Sequence, residues 1–157
     1  PELADEIQRE IKDPRGKVYK ILRQAWCFNK KTRHKDYAVR LVKNGVGKYD
    51  NKKVHETFQT EETSKKIKKI INHHTYISHE EYFEKFNKYT TLSAKEMYKK
   101  GKKVSIIKLI LNPIYKFIKK YFIKLGFIDG EIGFILSIYS AYYNFVKYAK
   151  LKELNDE

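Results

Sequence analysis

Cysteine is nearly absent from this chain. Cys27 stands alone, which rules out an internal disulfide and any zinc site built on several thiolates, and which points to a reducing compartment. The longest uncharged stretch, 132–146, has 15 residues and includes two serines, an asparagine and three tyrosines, whereas a membrane span needs about 20 mostly apolar residues. Such a segment can lie on a bilayer but cannot cross it. Arginine is scarce, and none follows Arg40. Lysine without arginine suits diffuse attraction to lipid better than base reading, which weighs against nucleic acid as a partner. No phosphate-cradling glycine loop, dinucleotide fingerprint, Ser-His-Asp arrangement or Asp-x-Asp pair occurs.

What is present is basic, aromatic and rich in helical spacing. In 157 residues, 41% hydrophobic and 15% aromatic content is enough for one cored domain with a helical tail. The 34 Lys and Arg outnumber 19 Asp and Glu by 15, so the chain should attract a polyanion: nucleic acid, anionic lipid or a phosphorylated substrate. Between Lys99 and Ile128 there are nine lysines and no acid, interleaved with Ile106, Ile107, Ile110, Leu111, Ile114, Phe117, Tyr121 and Phe122. Apolar side chains three and four apart among lysines describe helices with a greasy face and a cationic face, suited to an anionic bilayer surface. The same aromatics could instead pack as core against the preceding helix. The only methionine is Met97, so a chain opening at Pro1 is expected to be a piece of something longer or a processed product.

Along the chain, Pro1 to Ile7 opens a short helix with Leu3, Ile7 and Ile11 on one stripe, ended by Asp13-Pro14-Arg15-Gly16. Lys17 to Phe28 favours extended structure, and Tyr37 to Val42 alternates as a strand does. Asn44-Gly45 signals a turn, with short extended segments expected at Val46 to Tyr49 and Val54 to Phe58, and a further strand at Ile67 to Tyr76. Everything after Ser78 reads as helix. Ser78-His79-Glu80-Glu81 is a capping box, and Gly101 closes the helix that follows it. Asn112-Pro113 is expected to break the next helix or start a new one. The turn Gly126 to Gly130 then precedes a last helix from Glu131 to Leu154.

Few residues offer chemistry. Glu56, beside His55 at a strand end, can serve as a general base or can be surface decoration. His73 and His74 are adjacent on an expected strand, so they point to opposite faces, and no Cys or acid lies at ligand spacing. No metal site is expected within the chain. Arg40 could hold a phosphate in a cleft or face solvent as ordinary strand decoration.

Several of these stretches, taken in order, resemble one family. Pro1-Glu2-Leu3-Ala4-Asp5-Glu6-Ile7, Tyr37-Ala38-Val39-Arg40-Leu41-Val42, Val54-His55-Glu56, Ile71-Asn72-His73-His74-Thr75-Tyr76 with Tyr82, Lys85, Asn87 and Tyr89, then Asn112-Pro113, Tyr121-Phe122 and Gly126-Phe127-Ile128-Asp129-Gly130 with Gly133-Phe134 look like the second half of family 2 glycosyltransferases of the lipopolysaccharide core type. The loop between Trp26 and Tyr37 departs from that pattern, being shorter and more basic. The fold class that follows is α+β: a few strands from the acceptor half of a GT-A-like domain over residues 1–77, then a long helix and a C-terminal helical pair over 78–157.

The resemblance implies inverting transfer of a sugar from a nucleotide sugar to a lipid-linked saccharide. It implies that a donor half with an Asp-x-Asp motif, holding a divalent cation (Mg or Mn), belongs before Pro1, so that no cation is bound by this chain alone and transfer by it alone is not expected. Glu56 then matches the base, with His55 orienting it. His73 would lie near the diphosphate or metal, and Arg40 would steady a phosphate. Lys116, Phe117, Lys119, Lys120, Tyr121, Phe122 and Lys124 would hold the enzyme on the inner, cytoplasmic face of the membrane, each lysine near anionic lipid contributing on the order of 1 kcal/mol. Composition leaves one other reading open, a non-enzymatic basic helical module that binds anionic membrane or nucleic acid.

Overall fold

The computed structural model describes residues 2–50 and 57–156. The fold is α+β, in the order α1 (Glu2–Lys12), β1 (Val18–Cys27), β2 (Lys30–Val42), β3 (Lys48–Tyr49), β4 (Phe58–Gln59), β5 (Ser64–Tyr76), α2 (His79–Lys99), α3 (Ile106–Ile118) and α4 (Gly130–Asp156). It divides into two units between Thr75 and Tyr76.

In the first unit β1 is the middle strand of a three-stranded sheet ordered β2-β1-β5. Its central position explains why Val18, Tyr19, Ile21, Ala25 and Cys27 are all buried. The leucine and isoleucine stripe of α1 covers one sheet face, where Leu3 and Ile7 pack with Leu41 and Ile71 against a core of Tyr19, Ile21 and Ile67. Glu6 of α1 also accepts the backbone N–H groups of Lys68 and Lys69, each at 3.0 Å. Donors on an outer strand are thereby occupied rather than left open to another chain.

The residues between Trp26 and Tyr37, expected as a loop, are mostly strand. Phe28 and Asn29 both take positive φ, 51° and 59°, the backbone of a two-residue hairpin turn whose twist suits antiparallel strands. From Lys30 onward β2 runs antiparallel to β1 with two irregularities. One lies between Gln24 and Trp26, where Thr32 Oγ1 donates to the carbonyl of Ala25 (3.1 Å) and the buried Gln24 amide donates to the carbonyls of Thr32 and His34. Those bonds replace the ladder bonds that an irregular register forfeits.

In the second unit Ser78 caps α2, its hydroxyl accepting the N–H of Glu81 (3.1 Å) while the Glu81 carboxylate accepts the N–H of Ile77 (2.8 Å). Gly101, at φ 66°, follows the helix end. Helix α4 is apolar on two sides because it meets two partners. Tyr139 and Tyr142 lie against Tyr82, Phe83 and Phe86 of α2, with centroid separations from 4.6 to 5.1 Å. Phe134 meets Phe117 and Tyr121 from the α3 side, at 6.0 and 5.6 Å.

Pro113 does not break α3; it sits inside it. The ring removes one amide bond, to the carbonyl of Leu109, and no residue of α3 is buried, so carbonyls around the proline have access to water. A wider π turn, Lys119–Ile123, and a short 3-10 turn, Gly126–Asp129, then carry the chain into α4.

Candidate functional site

A group of charged side chains stands on the helix-covered face of the sheet. Arg23 of β1 and Asp36 of β2 are direct cross-strand neighbours. They form a two-point ion pair, with Arg23 Nε to Asp36 Oδ1 at 3.1 Å and the second nitrogen on Oδ2. The guanidinium holds the Asp36 carboxyl below the usual carboxylate range, against the opposing effect of burial. His73 shares that environment. Burial first, and then the positive charges of Arg23 and Arg40, keep its imidazole below the ordinary histidine range, so it favours the neutral form, which can donate at one ring nitrogen and accept at the other.

Arg40, an exposed residue, lies at the second irregularity of the hairpin. Tyr19 pairs with Leu41 and Lys20 with Val39, which leaves Arg40 as an extra residue without a partner on β1. A bulge of this kind re-aims a side chain. The expectation that Arg40 faces opposite Val39 and Leu41 assumes strict alternation, which this bulge interrupts.

His74 occupies the opposite face. Its ring stacks on Trp26 (5.7 Å between centroids), and the indole N–H donates to Asn72 Oδ1 at 3.2 Å. The two histidines therefore do not converge, and among the described residues no three His, Cys, Asp or Glu side chains gather as a metal site would require. His55 and Glu56 lie outside the described residues. On either side of them Asp50 and Thr57 are joined by two hydrogen bonds, Asp50 N–H to the Thr57 carbonyl (3.0 Å) and Thr57 N–H to Asp50 Oδ1 (2.9 Å).

A groove of about 290 Å³ between α1 and β5 contains none of the residues singled out from sequence. Glu6, Arg9, Glu10, Arg15, Lys68 and Lys69 line it, and Glu10 pairs with Arg15, as Lys69 does with Glu2.

In the helical unit the aromatic and lysine residues expected at a membrane separate into two sets. Phe117 and Tyr121 turn toward Phe134, and Lys120 Nζ donates to the carbonyl of Leu136 (2.9 Å). Lys119 lies over the Tyr115 ring at 5.5 Å. Lys116 and Lys124 are exposed, and Phe122 is 54% exposed. The apolar stripe read from the sequence, which Phe122 extends, is exposed. Ile107 (68% exposed), Ile110, Leu111 (57%), Ile114 and Ile118 follow three- and four-residue spacing and face water. The expected break at Pro113 does not divide the stripe, because α3 continues through the proline. Ile123, Phe127 and Ile128 extend the exposed apolar surface past the helix. So large a patch on a monomer marks an interaction surface. No described helix is long and apolar enough to cross a membrane.

No family model matches the chain, and no solved structure matches it. Its similarity is to proteins named glycosyltransferases. Uncharacterized glycosyltransferases of Rickettsia typhi and Rickettsia prowazekii are 38% and 37% identical over 86 residues, 55% of this chain and 30% of each of those proteins. The lipopolysaccharide core biosynthesis glycosyltransferase LpsC of Rhizobium meliloti is 33% identical over 115 residues, 72% of this chain and 43% of LpsC. The chain thus spans less than half the length of these relatives.

Proposed function

We propose that this chain is the acceptor-binding part of an inverting family 2 glycosyltransferase that builds a lipid-linked saccharide such as a lipopolysaccharide core. The likeness to LpsC supports this reading. The observation that carries its lipid side is the outward apolar stripe of α3, flanked by lysines and without an acid. A helix of that kind lies in the interface of an anionic bilayer, which would keep the protein on the inner face of the cytoplasmic membrane beside its acceptor.

In the transfer step the Glu56 carboxylate removes the proton of an acceptor hydroxyl, and that oxygen attacks the anomeric carbon of the nucleotide sugar. The new glycosidic bond forms as the bond to the nucleoside diphosphate breaks on the opposite side, the diphosphate leaves with the electron pair, and the anomeric configuration inverts. His55 orients the base. Arg40 and neutral His73, beside the Arg23–Asp36 pair, offer positive charge and hydrogen bonds to a phosphate of donor or acceptor. The described residues lack a donor set for a divalent cation. The Mg or Mn of such an enzyme belongs to the donor half, and the steps above run through this chain's own side chains.

Sugar transfer assayed in the complete gene product tests the reading. Glu56→Gln should lower kcat on the order of a hundredfold or more with little change in KM. An unchanged kcat removes Glu56 from the mechanism, and absence of transfer from any nucleotide sugar removes the transferase itself.

A further inference from the structure

We propose that the groove between α1 and β5 binds a phosphorylated sugar, with the phosphate on Arg9 and Lys68 and a ring hydroxyl on Glu6. At about 290 Å³ the groove lies near the small end of ligand sites, with room for a single ring and its phosphate. Much of its charge is settled internally. The buried Glu10 pairs with Arg15, and Lys69 pairs with Glu2 at 2.6 Å. Arg9 and Lys68 remain. Arg9 Nε donates at 3.3 Å to the carbonyl of Asp5, one turn back in its own helix, and among the described residues no carboxylate forms an ion pair with either cation. Two such cations on one groove attract a dianion, and a phosphate monoester can accept from a guanidinium fork and an ammonium together.

Glu6 decides that the ligand is more than a bare phosphate. Its two oxygens accept the successive backbone N–H groups of Lys68 and Lys69, each at 3.0 Å, which fixes the carboxylate in the groove wall. Burial would raise its pKa, but those two N–H groups, and then the charges of Arg15 and Arg9, hold it below the ordinary carboxylate range. An ionised carboxylate oxygen keeps a lone pair after one such bond and can only accept. A phosphate alone would bring negative charge against it. A sugar ring relieves that repulsion, because it spaces the phosphate from Glu6 and offers the carboxylate a hydroxyl donor. The inference names a substrate class for the acceptor reading above, on which the role of the ligand rests although its binding does not.

The test is a titration of the folded chain with glucose 6-phosphate, followed on the backbone amide NMR signals of Lys68 and Lys69, with inorganic phosphate and glucose as separate ligands. The ester should bind about tenfold more tightly than either of them, or better. Arg9→Gln and Lys68→Gln, both at exposed positions, should each weaken its binding about tenfold or more, while Lys35→Gln, an exposed lysine of β2, should leave it unchanged. Ester and inorganic phosphate bound alike, or equal losses in all three variants, would overturn the site. Vesicles carrying phosphatidylinositol 4-phosphate, set against phosphatidylglycerol vesicles, then identify the source: a Lys68→Gln loss specific to the former assigns the phosphorylated ring to a lipid, and a loss seen with the soluble ester alone assigns it to a free sugar phosphate. No transfer is measured in the titration. A chain that binds the ester in an enzyme without transfer activity refutes the transferase reading alone, and one that ignores the ester in an active enzyme refutes this site alone.

Discussion

The carbonyl oxygen of Gly126 lies 1.8 Å from where a Cβ on Gly133 would stand. The two glycines thus bring the turn after α3 into backbone contact with the first turns of α4, and the Ser137 hydroxyl, donating to the carbonyl of Gly133 at 2.7 Å, stays buried close by. The obstacle at Gly133 is backbone, which cannot rotate aside as a flexible side chain can. Gly133→Ala should destabilise the helical unit by about 2 kcal/mol or more, as overpacking does. Gly45→Ala would meet nothing within 4 Å and is strained only by its φ of 82°, so it is the smaller perturbation. Thermal melts of the two variants check the order.

His73 makes the sheet unit sensitive to mild acid. Its folded-state pKa is lowered, by burial first and then by Arg23 and Arg40, so the unfolded chain binds the proton more readily. The stability this contributes is complete above the ordinary histidine range, about 6.5, and is lost as the pH falls below it. Asp36, also lowered, gives up its contribution only in the carboxylate range, so the two are separable. The urea midpoint should fall between about pH 7.5 and about pH 5.5 in the wild type and fall less in His73→Gln. Equal slopes would show that His73 carries no such linkage.

Lys150 ties α4 to α2. Its ammonium lies 2.8 Å from Asn87 Oδ1, 3.0 Å from Thr90 Oγ1 and 2.8 Å from Thr91 Oγ1. Hydrogen bonds that involve a charged partner contribute about 1.5–3 kcal/mol, and burial already disfavours the charge, so the net effect should sit near the lower end. Lys150→Met keeps the aliphatic stem and should lower stability by about 1–2 kcal/mol, as read from chemical denaturation. A rise in stability would mean that desolvation outweighs the bonds.

The α3 stripe separates stability from binding. Ile110 and Ile114 are 54% and 52% exposed, so the double change Ile110→Asn with Ile114→Asn should move the melting transition little, as surface substitutions do. Against anionic vesicles it removes two side chains whose full burial is worth about 1.5–3 kcal/mol each, and partition should fall at least tenfold. Phe117→Ala, a side chain turned toward Phe134, should behave in the opposite sense and lower stability before it lowers partition. A salt series with RNA in place of vesicles checks the basic-module reading: tight, steeply salt-dependent RNA binding without lipid preference would favour it.

Much of the architecture is legible in local chemistry. The Ser78 cap with Glu81, the Leu3 and Ile7 stripe, the Asn44-Gly45 turn and the presence of a strand at Tyr37 to Val42 each depend on residues a few positions apart, and each is found where that chemistry puts it. The lysine and isoleucine spacing of 106–122 likewise marks an amphipathic helix without any fold. Its direction is another matter. Whether Ile107, Ile110 and Ile114 meet α4 or water depends on which face α4 can receive, and that depends on how Gly126 and Gly133 let the turn close. The bulge at Arg40, the Thr32 and Gln24 bonds that turn an expected loop into strand, and the meeting of Arg23, Asp36 and His73 join positions 7 to 50 residues apart. Composition and spacing report only the near neighbours of a residue, so charge, helix and cap were decided along the chain, while every relation across the sheet or between helices waited for packing to choose one arrangement.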